Sequence, residues 1–137
     1  MSKFEKAVVE SGLAPGKTAT ASTIVTDRNT ANAVLSGSLD VFATPMMVAL
    51  MECAACECLA GCIDEGQTTV GSLINVEHNK ASPIGAEITA TANIENISGR
   101  KIEFVVTASD GAGEIGRGKH TRFIVDTGRF MERLNGG

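Results

Sequence analysis

With 137 residues, 43% of them apolar and 20% charged, the chain has material for one packed core and too little length for a second domain of ordinary size. Twelve Lys and Arg against sixteen Asp and Glu leave a net charge of −4, which argues against a dedicated nucleic-acid binder. With no Trp, no Tyr and five Phe there is almost nothing to stack on bases. No apolar run approaches the roughly 20 residues that span a bilayer. Residues 1–10 are charged and lack the apolar stretch of a secretory signal, so the cytoplasm is the expected compartment.

Residues 1–16 form a lead-in that closes on the turn signal Ala14-Pro15-Gly16. The segment from Thr18 to Thr26 (TATASTIVT) is rich in β-branched residues and reads as a strand. The stretch from Asp27 to Asp40, broken by Asn29, Asn32, Gly37 and Ser38, reads as a loop with a helical turn. Thr44-Pro45 then supplies an N-cap and a proline at the first helical position, where a missing N–H costs nothing. The run MMVALMECAACECLAG has no breaker before Gly61, and Glu52 and Glu57 are its only charges. They stand about 140° apart around the axis. A helix this apolar has to be covered on several sides.

Beyond Gly66 the period changes to two. Between Thr69 and Asn79, the residues Val70, Ser72, Ile74, Val76 and His78 fall on one face, the one turned to the helix. The segments 87–95, 102–108 and 115–125 repeat the alternation, with Ser98-Gly99 and Asp110-Gly111 as hairpin turns. Such strands predict an antiparallel meander with one wet face. The tail from Gly128 to Gly137 frames a last short helix or frays. One strand, a buried helix and further strands wrapped round it make an α+β hot-dog arrangement, a central helix against an antiparallel sheet of about five strands. A single such sheet leaves open edges and an incompletely covered helix. Side-by-side pairing of two copies cures both, so a homodimer at least is expected, with a tetramer left open.

Cys53, Cys56, Cys58 and Cys62 invite a zinc or redox reading. On a helix the last three point about 300°, 140° and 180° round the axis from Cys53, so the four thiolates diverge. No metal is expected, and the cysteines read as small apolar packing residues. Glu52 lies among Leu50, Met51, Cys53 and Ala54. Either it works in a desolvated site that tunes a carboxyl group for acid–base chemistry, or it lies on a strip reaching solvent or a subunit partner. His78 is either a core histidine satisfied by a backbone carbonyl or the partner of an acid that Glu52 supplies. Thr44 either caps the helix or holds substrate at the helix N-terminus, where N–H groups and the dipole favour developing negative charge. His120 and Arg122 share a face of the last strand with Gly116 and Gly118, a glycine pair that suggests close approach of backbone or ligand. Arg122 either meets a phosphate-bearing group or is a solvated surface residue. Gly71 marks a bulge or open space for a substrate.

VFATPMMVALMECAA, VGSLINVEHNKASPIGAEITATA and GRKIEFVVTASDGAGEIGRGKHTRFIV together resemble the hot-dog acyl-CoA thioesterases of the fluoroacetyl-CoA thioesterase type. The resemblance runs from Thr18 to Val125. It implies hydrolysis of an acyl-CoA to a carboxylate and free CoA, with Thr44, Glu52 and His78 as the catalytic set. It also implies Gly71 beside the acyl pocket and Arg122 near the substrate. CoA is part of that substrate, and no separate cofactor is implied. Glu52 would attack the carbonyl to form a mixed anhydride or act as a base on water, His78 would orient water or stabilise charge, and Thr44 would position the thioester. Members selective for fluoroacetyl groups carry a bulky aromatic lid just before the V-F-A-T stretch, where this chain has Gly37-Ser38-Leu39-Asp40. The expected substrate is therefore a small or medium acyl-CoA. A hot-dog dehydratase or hydratase, which releases no thiol, and a non-catalytic acyl-CoA-binding module are the competing readings.

Overall fold

Five strands and two helices follow one another in the computed structural model, which describes residues 12–136. They are β1 (Thr18–Ile24), α1 (Thr44–Leu59), β2 (Gln67–His78), β3 (Glu87–Ser98), β4 (Lys101–Asp110), β5 (Gly113–Asp126) and α2 (Thr127–Leu134). Most of the expected lead-in, residues 1–11, lies outside the described residues. The stretch between β1 and α1 is a run of turns, one of them closed helically from Val34 N to Thr30 O.

All pairings are antiparallel and the sheet order is β1-β3-β4-β5-β2. The strands β3, β4 and β5 form the expected meander through the two tight turns. The strand β2 departs from it, pairing with β5 at the far edge rather than with its sequence neighbour β3. Its connection to β3, residues 79–86, is too long for a two-residue hairpin and contains Pro83. The segment is pinned instead to the chain before α1, through the Val41–Pro83 bridge and Phe42 N donating to Ser82 O.

The alternating residues Ile88, Ala90, Ala92 and Ile94 of β3 and Ile102, Phe104, Val106 and Ala108 of β4 are buried. They pack in one core with Met47, Met51, Ala54, Ala55, Cys58 and Leu59 of α1. Among the described residues the helix is covered on this face alone. Ala49, Cys53, Cys56 and Glu57 stay exposed, so the cover expected on several sides is not supplied by the described residues. The cysteines divide accordingly: Cys58 and Cys62 pack in the core, whereas Cys53 and Cys56, expected to pack, do not. Cys58 donates to Ala92 O at 3.4 Å, and burial pushes its thiol pKa up.

One irregularity resets a whole strand. Gly71 pairs with Arg122 and Leu73 with Thr121, leaving Ser72 as an extra residue. A bulge reverses the parity of every side chain on one side of it. Thr69 and Gly71 therefore share the helix-facing side with Ile74, Val76 and His78, while Val70, expected there, turns outward opposite Phe123. Gly116 and Gly118 serve backbone packing. A Cβ at Gly116 would stand 2.5 Å from Glu77 O and 2.7 Å from Met47 Sδ, and one at Gly118 would overlap Asn75 O.

Candidate active site

Ala43, not Thr44, is the N-cap of α1, and no side chain caps it. Thr44 occupies the first helical position, and its hydroxyl lies 2.7 Å from His78 Nδ1. The His78 ring stands edge-on to Phe42, with centroids 6.5 Å apart. Burial pushes its pKa below the ordinary 6.5, so the ring is neutral at pH 7. Its Nε2 is buried with no hydrogen-bond partner. A buried ring nitrogen left unpaired costs free energy and marks a place where a ligand can satisfy it. A cavity of about 230 Å³ opens there, lined among others by Phe42, Thr44, His78 and Asn79. The chain just beyond is anchored by Asp110, which accepts from Lys80 and Ser82 and from the N–H groups of Ala112 and Gly113. Lys80 above all holds the Asp110 pKa down to about 2.

A second group is built on the middle of α1. Glu52 Oε2 lies 3.3 Å from Arg122 Nη1 and 3.9 Å from His120 Nε2, with its side chain 40% exposed. Arg122 is buried, which sets aside the surface reading. Its Nε donates to Thr69 Oγ1 at 2.9 Å and its Nη2 to Thr69 O at 3.1 Å. His120 is fully buried and stacked on Phe104. Its Nδ1 is 2.7 Å from the carbonyl of Leu73, so that nitrogen carries the proton, and Nε2 accepts from Arg122 Nη1 at 3.2 Å. Burial, reinforced by the Arg122 charge, pushes the His120 pKa down. A chain of hydrogen bonds thus runs from the bulge in β2 through His120 and Arg122 to the Glu52 carboxylate. His120 was legible only as a neighbour of Arg122 on one strand face. Thr69 carried no signal, because the bulge that turns it inward leaves no mark on the alternation.

The structure brings Thr44 together with His78, and Glu52 together with Gly71 and Arg122. It does not join the two groups in one chain. Eight residues, about 12 Å of helix, separate Thr44 from Glu52. The Glu52–His78 pair expected from the sequence is therefore not formed within a single copy. Among the described residues no three His, Cys, Asp or Glu converge as a metal would require.

Two glycines give contrasting tests. At Gly71 an added Cβ would lie 2.7 Å from Glu52 Oε2, the movable end of a side chain, whereas at Gly118 it would meet backbone. Gly71→Ala is expected to displace the carboxylate and lower turnover at least tenfold with little change in unfolding midpoint. Gly118→Ala is expected to cost about 3 kcal/mol of stability. Chemical denaturation run beside a turnover assay separates the two. The histidines make a further prediction. Both bind protons more weakly folded than unfolded, where the pKa is about 6.5. The unfolded state takes up more protons as pH drops below about 6.5, so stability falls with acidity from there down to the lower folded values. The thermal midpoint should be flat from about pH 7 to 8 and fall toward about pH 5, less steeply in His120→Asn.

The family of fluoroacetyl-CoA-specific thioesterases matches residues 25–128. The fluoroacetyl-CoA thioesterase of Streptantibioticus cattleyicolor is 37% identical over 95 residues, which span 69% of this chain and 68% of that protein. A solved structure of the fluoroacetyl-CoA thioesterase superposes with a TM-score of 0.86 at 31% identity, covering 90% of this chain and 96% of the other. A variant of that enzyme in complex with fluoroacetate and CoA gives 0.81 at 32% identity, over 85% and 98%. A thioesterase superfamily member from Thermus thermophilus gives 0.79 at 25% identity, over 91% and 98%. The chain has the hot-dog fold and belongs to the fluoroacetyl-CoA-specific thioesterase family.

Proposed function

We propose that this protein is an acyl-CoA thioesterase that hydrolyses small or medium acyl-CoA esters to a carboxylate and free CoA. As a thioester hydrolase it uses CoA only as part of its substrate, with no cofactor or metal, in one domain and in the cytoplasm. The observation that carries the reading is the unpartnered Nε2 of His78, buried beside Thr44 at the start of the central helix.

The reaction is completed between two copies. β2 is a 12-residue edge strand with Leu73 51% and Ile74 37% exposed, which is a ready template for pairing. Gly71 lies near its start and His78 at its end. Antiparallel pairing of two β2 strands about a two-fold axis between Ile74 and Asn75 sets His78 beside Gly71 of the partner subunit, and so beside Glu52 of the partner subunit. The same pairing covers the open side of α1. In this homodimer the thioester carbonyl lies against the Thr44 hydroxyl and its N–H, which has no intrahelical acceptor. Either Glu52 attacks the carbonyl, expelling CoA and leaving an acyl–Glu52 anhydride that water oriented by His78 hydrolyses, the proton of that water going to the CoA thiolate, or Glu52 takes the proton from the attacking water and returns it to the departing sulfur; Arg122 holds Glu52 in both. In both, collapse of the tetrahedral intermediate expels CoA, which is released as the thiol. Residues 31–41 contain no aromatic side chain, which favours ordinary acyl groups over a fluoroacetyl-selective site.

Free-thiol release across a panel from acetyl- and fluoroacetyl-CoA to branched, aromatic and long-chain esters tests this. Release fastest with small and medium esters is expected. Hydration or dehydration without thiol would make the protein a hydratase or dehydratase, and binding without any product would make it an acyl-CoA-binding module.

A further inference from the structure

The Thr44–His78 contact joins two arms of the chain that the sheet holds unequally. The arm leaving His78 is tied to β5, with Asn79 N donating to Ile115 O at 2.7 Å. The arm entering Thr44 belongs to no strand of the sheet and meets its neighbours only through the isolated bridges at Val41 and Phe42. Both arms return to one side chain. Asp110, at the end of β4, has a side chain only 5% exposed, and it accepts from Lys80 Nζ and from Ser82 Oγ, each at 2.9 Å. Lys80 stands two residues past His78. Ser82 is fully buried, and its carbonyl accepts from Phe42 N at 2.9 Å, two residues before Thr44. The contacts therefore close a ring: Asp110 to Ser82, Ser82 to Phe42, along the chain to Thr44, across to His78, along the chain to Lys80 and back to Asp110.

The turn between β4 and β5 fixes where this carboxylate stands, because Asp110 Oδ1 also accepts from the N–H groups of Ala112 and Gly113 at 2.8 and 3.1 Å. The turn needs only those two contacts. The bond to Ser82 serves the other arm, and a buried serine hydroxyl has to be paired. Lys80 is 42% exposed, so its ion pair is screened and the buried Ser82–Asp110 bond carries more of the coupling. We propose that Asp110 and Ser82 are positioning residues, which hold the Thr44 hydroxyl and the His78 ring in the relative placement that lets both meet one thioester. Neither lines the cavity beside His78, so they act through Phe42 and Lys80, which do. The assignment rests on the acyl-CoA thioesterase reading. A misplacement of about 1 Å at reacting groups costs on the order of a hundredfold in rate, which makes such a tie worth more to turnover than to binding.

Ser82→Ala removes the buried bond and leaves the turn and the Lys80 pair in place. In thiol release from the best acyl-CoA of the panel it should lower kcat at least about tenfold while KM stays within about threefold. Asp110→Ala should lose more. Asp110→Asn keeps an oxygen for the turn and gains an amide that can donate to Ser82 Oγ, so it should recover most of the activity. Nitrogen NMR of the imidazole rings supplies a second readout. The chain has two histidines, and His120, held by Leu73 and Arg122, serves as the internal reference. In Ser82→Ala the ring shifts of His78 should move while those of His120 stay. Parent-like kcat with unmoved His78 shifts, movement of both histidines together, or an Asn variant as damaged as the Ala one would overturn the assignment. Should Asp110→Ala not fold, Ser82→Ala decides alone. The spectrum needs no turnover: a parent that releases no thiol would sink the thioesterase reading, and the His78 shifts would still decide whether these two residues place the ring.

Discussion

Glu52→Gln is expected to reduce thiol release by about three orders of magnitude while the protein stays folded. The substitution keeps the shape of the side chain and an oxygen for Arg122 Nη1, now 3.3 Å away. On the proposed mechanism it removes the group that would attack the carbonyl or accept a proton from water. The side chain is 40% exposed, so loss of the ion pair should cost no more than about 1 kcal/mol. Thiol-trapping kinetics with the best ester of the panel, beside a thermal melt, check both halves. Turnover within tenfold of the parent would remove Glu52 from the chemistry.

His78→Ala should be equally damaging by itself, and mixing it with Glu52→Gln should bring activity back. In a dimer whose sites each take His78 from one copy and Glu52 from the other, a hybrid has one site with both groups intact and one with neither. Random exchange of equal amounts makes half the dimers hybrid, so recovery approaches about a quarter of parent activity per subunit. No recovery after subunit exchange, verified by mass, would mean that each site is complete in one copy. The separation along α1 makes this the sharper test, because Thr44 and His78 meet at 2.7 Å while Glu52 faces a different set of partners.

Both expectations rest on residues visible in the sequence, yet the arrangement that gives them meaning was not. The helix from Thr44, the four alternating segments and the two tight turns follow from local patterns. Apolar spacing, a proline at a helix start and glycine in a turn act over a few residues and leave a direct trace. The hot-dog class and the candidates Thr44, Glu52, His78, Gly71 and Arg122 were legible for the same reason, once the motifs carrying the family resemblance were recognised.

Tertiary structure decided what depends on partners far along the chain. Which strand β2 joins is set by packing across the sheet, and the β5 pairing could not be read from alternation in β2 alone. The extra residue at Ser72 keeps the chain equally polar and apolar on paper while turning Thr69 inward and Val70 outward. Thr44 has the composition of a cap, but its hydroxyl finds His78, 34 residues away. Buried His120 tethers Arg122, and Arg122 tethers Glu52, because the bulge aims a Leu73 carbonyl at the ring. Cys53 and Cys56 fall on the side of α1 that the sheet leaves open. Short-range periodicity determined the elements and their chemistry. Long-range pairing and burial, which no neighbouring residue reports, decided which functional groups face one another.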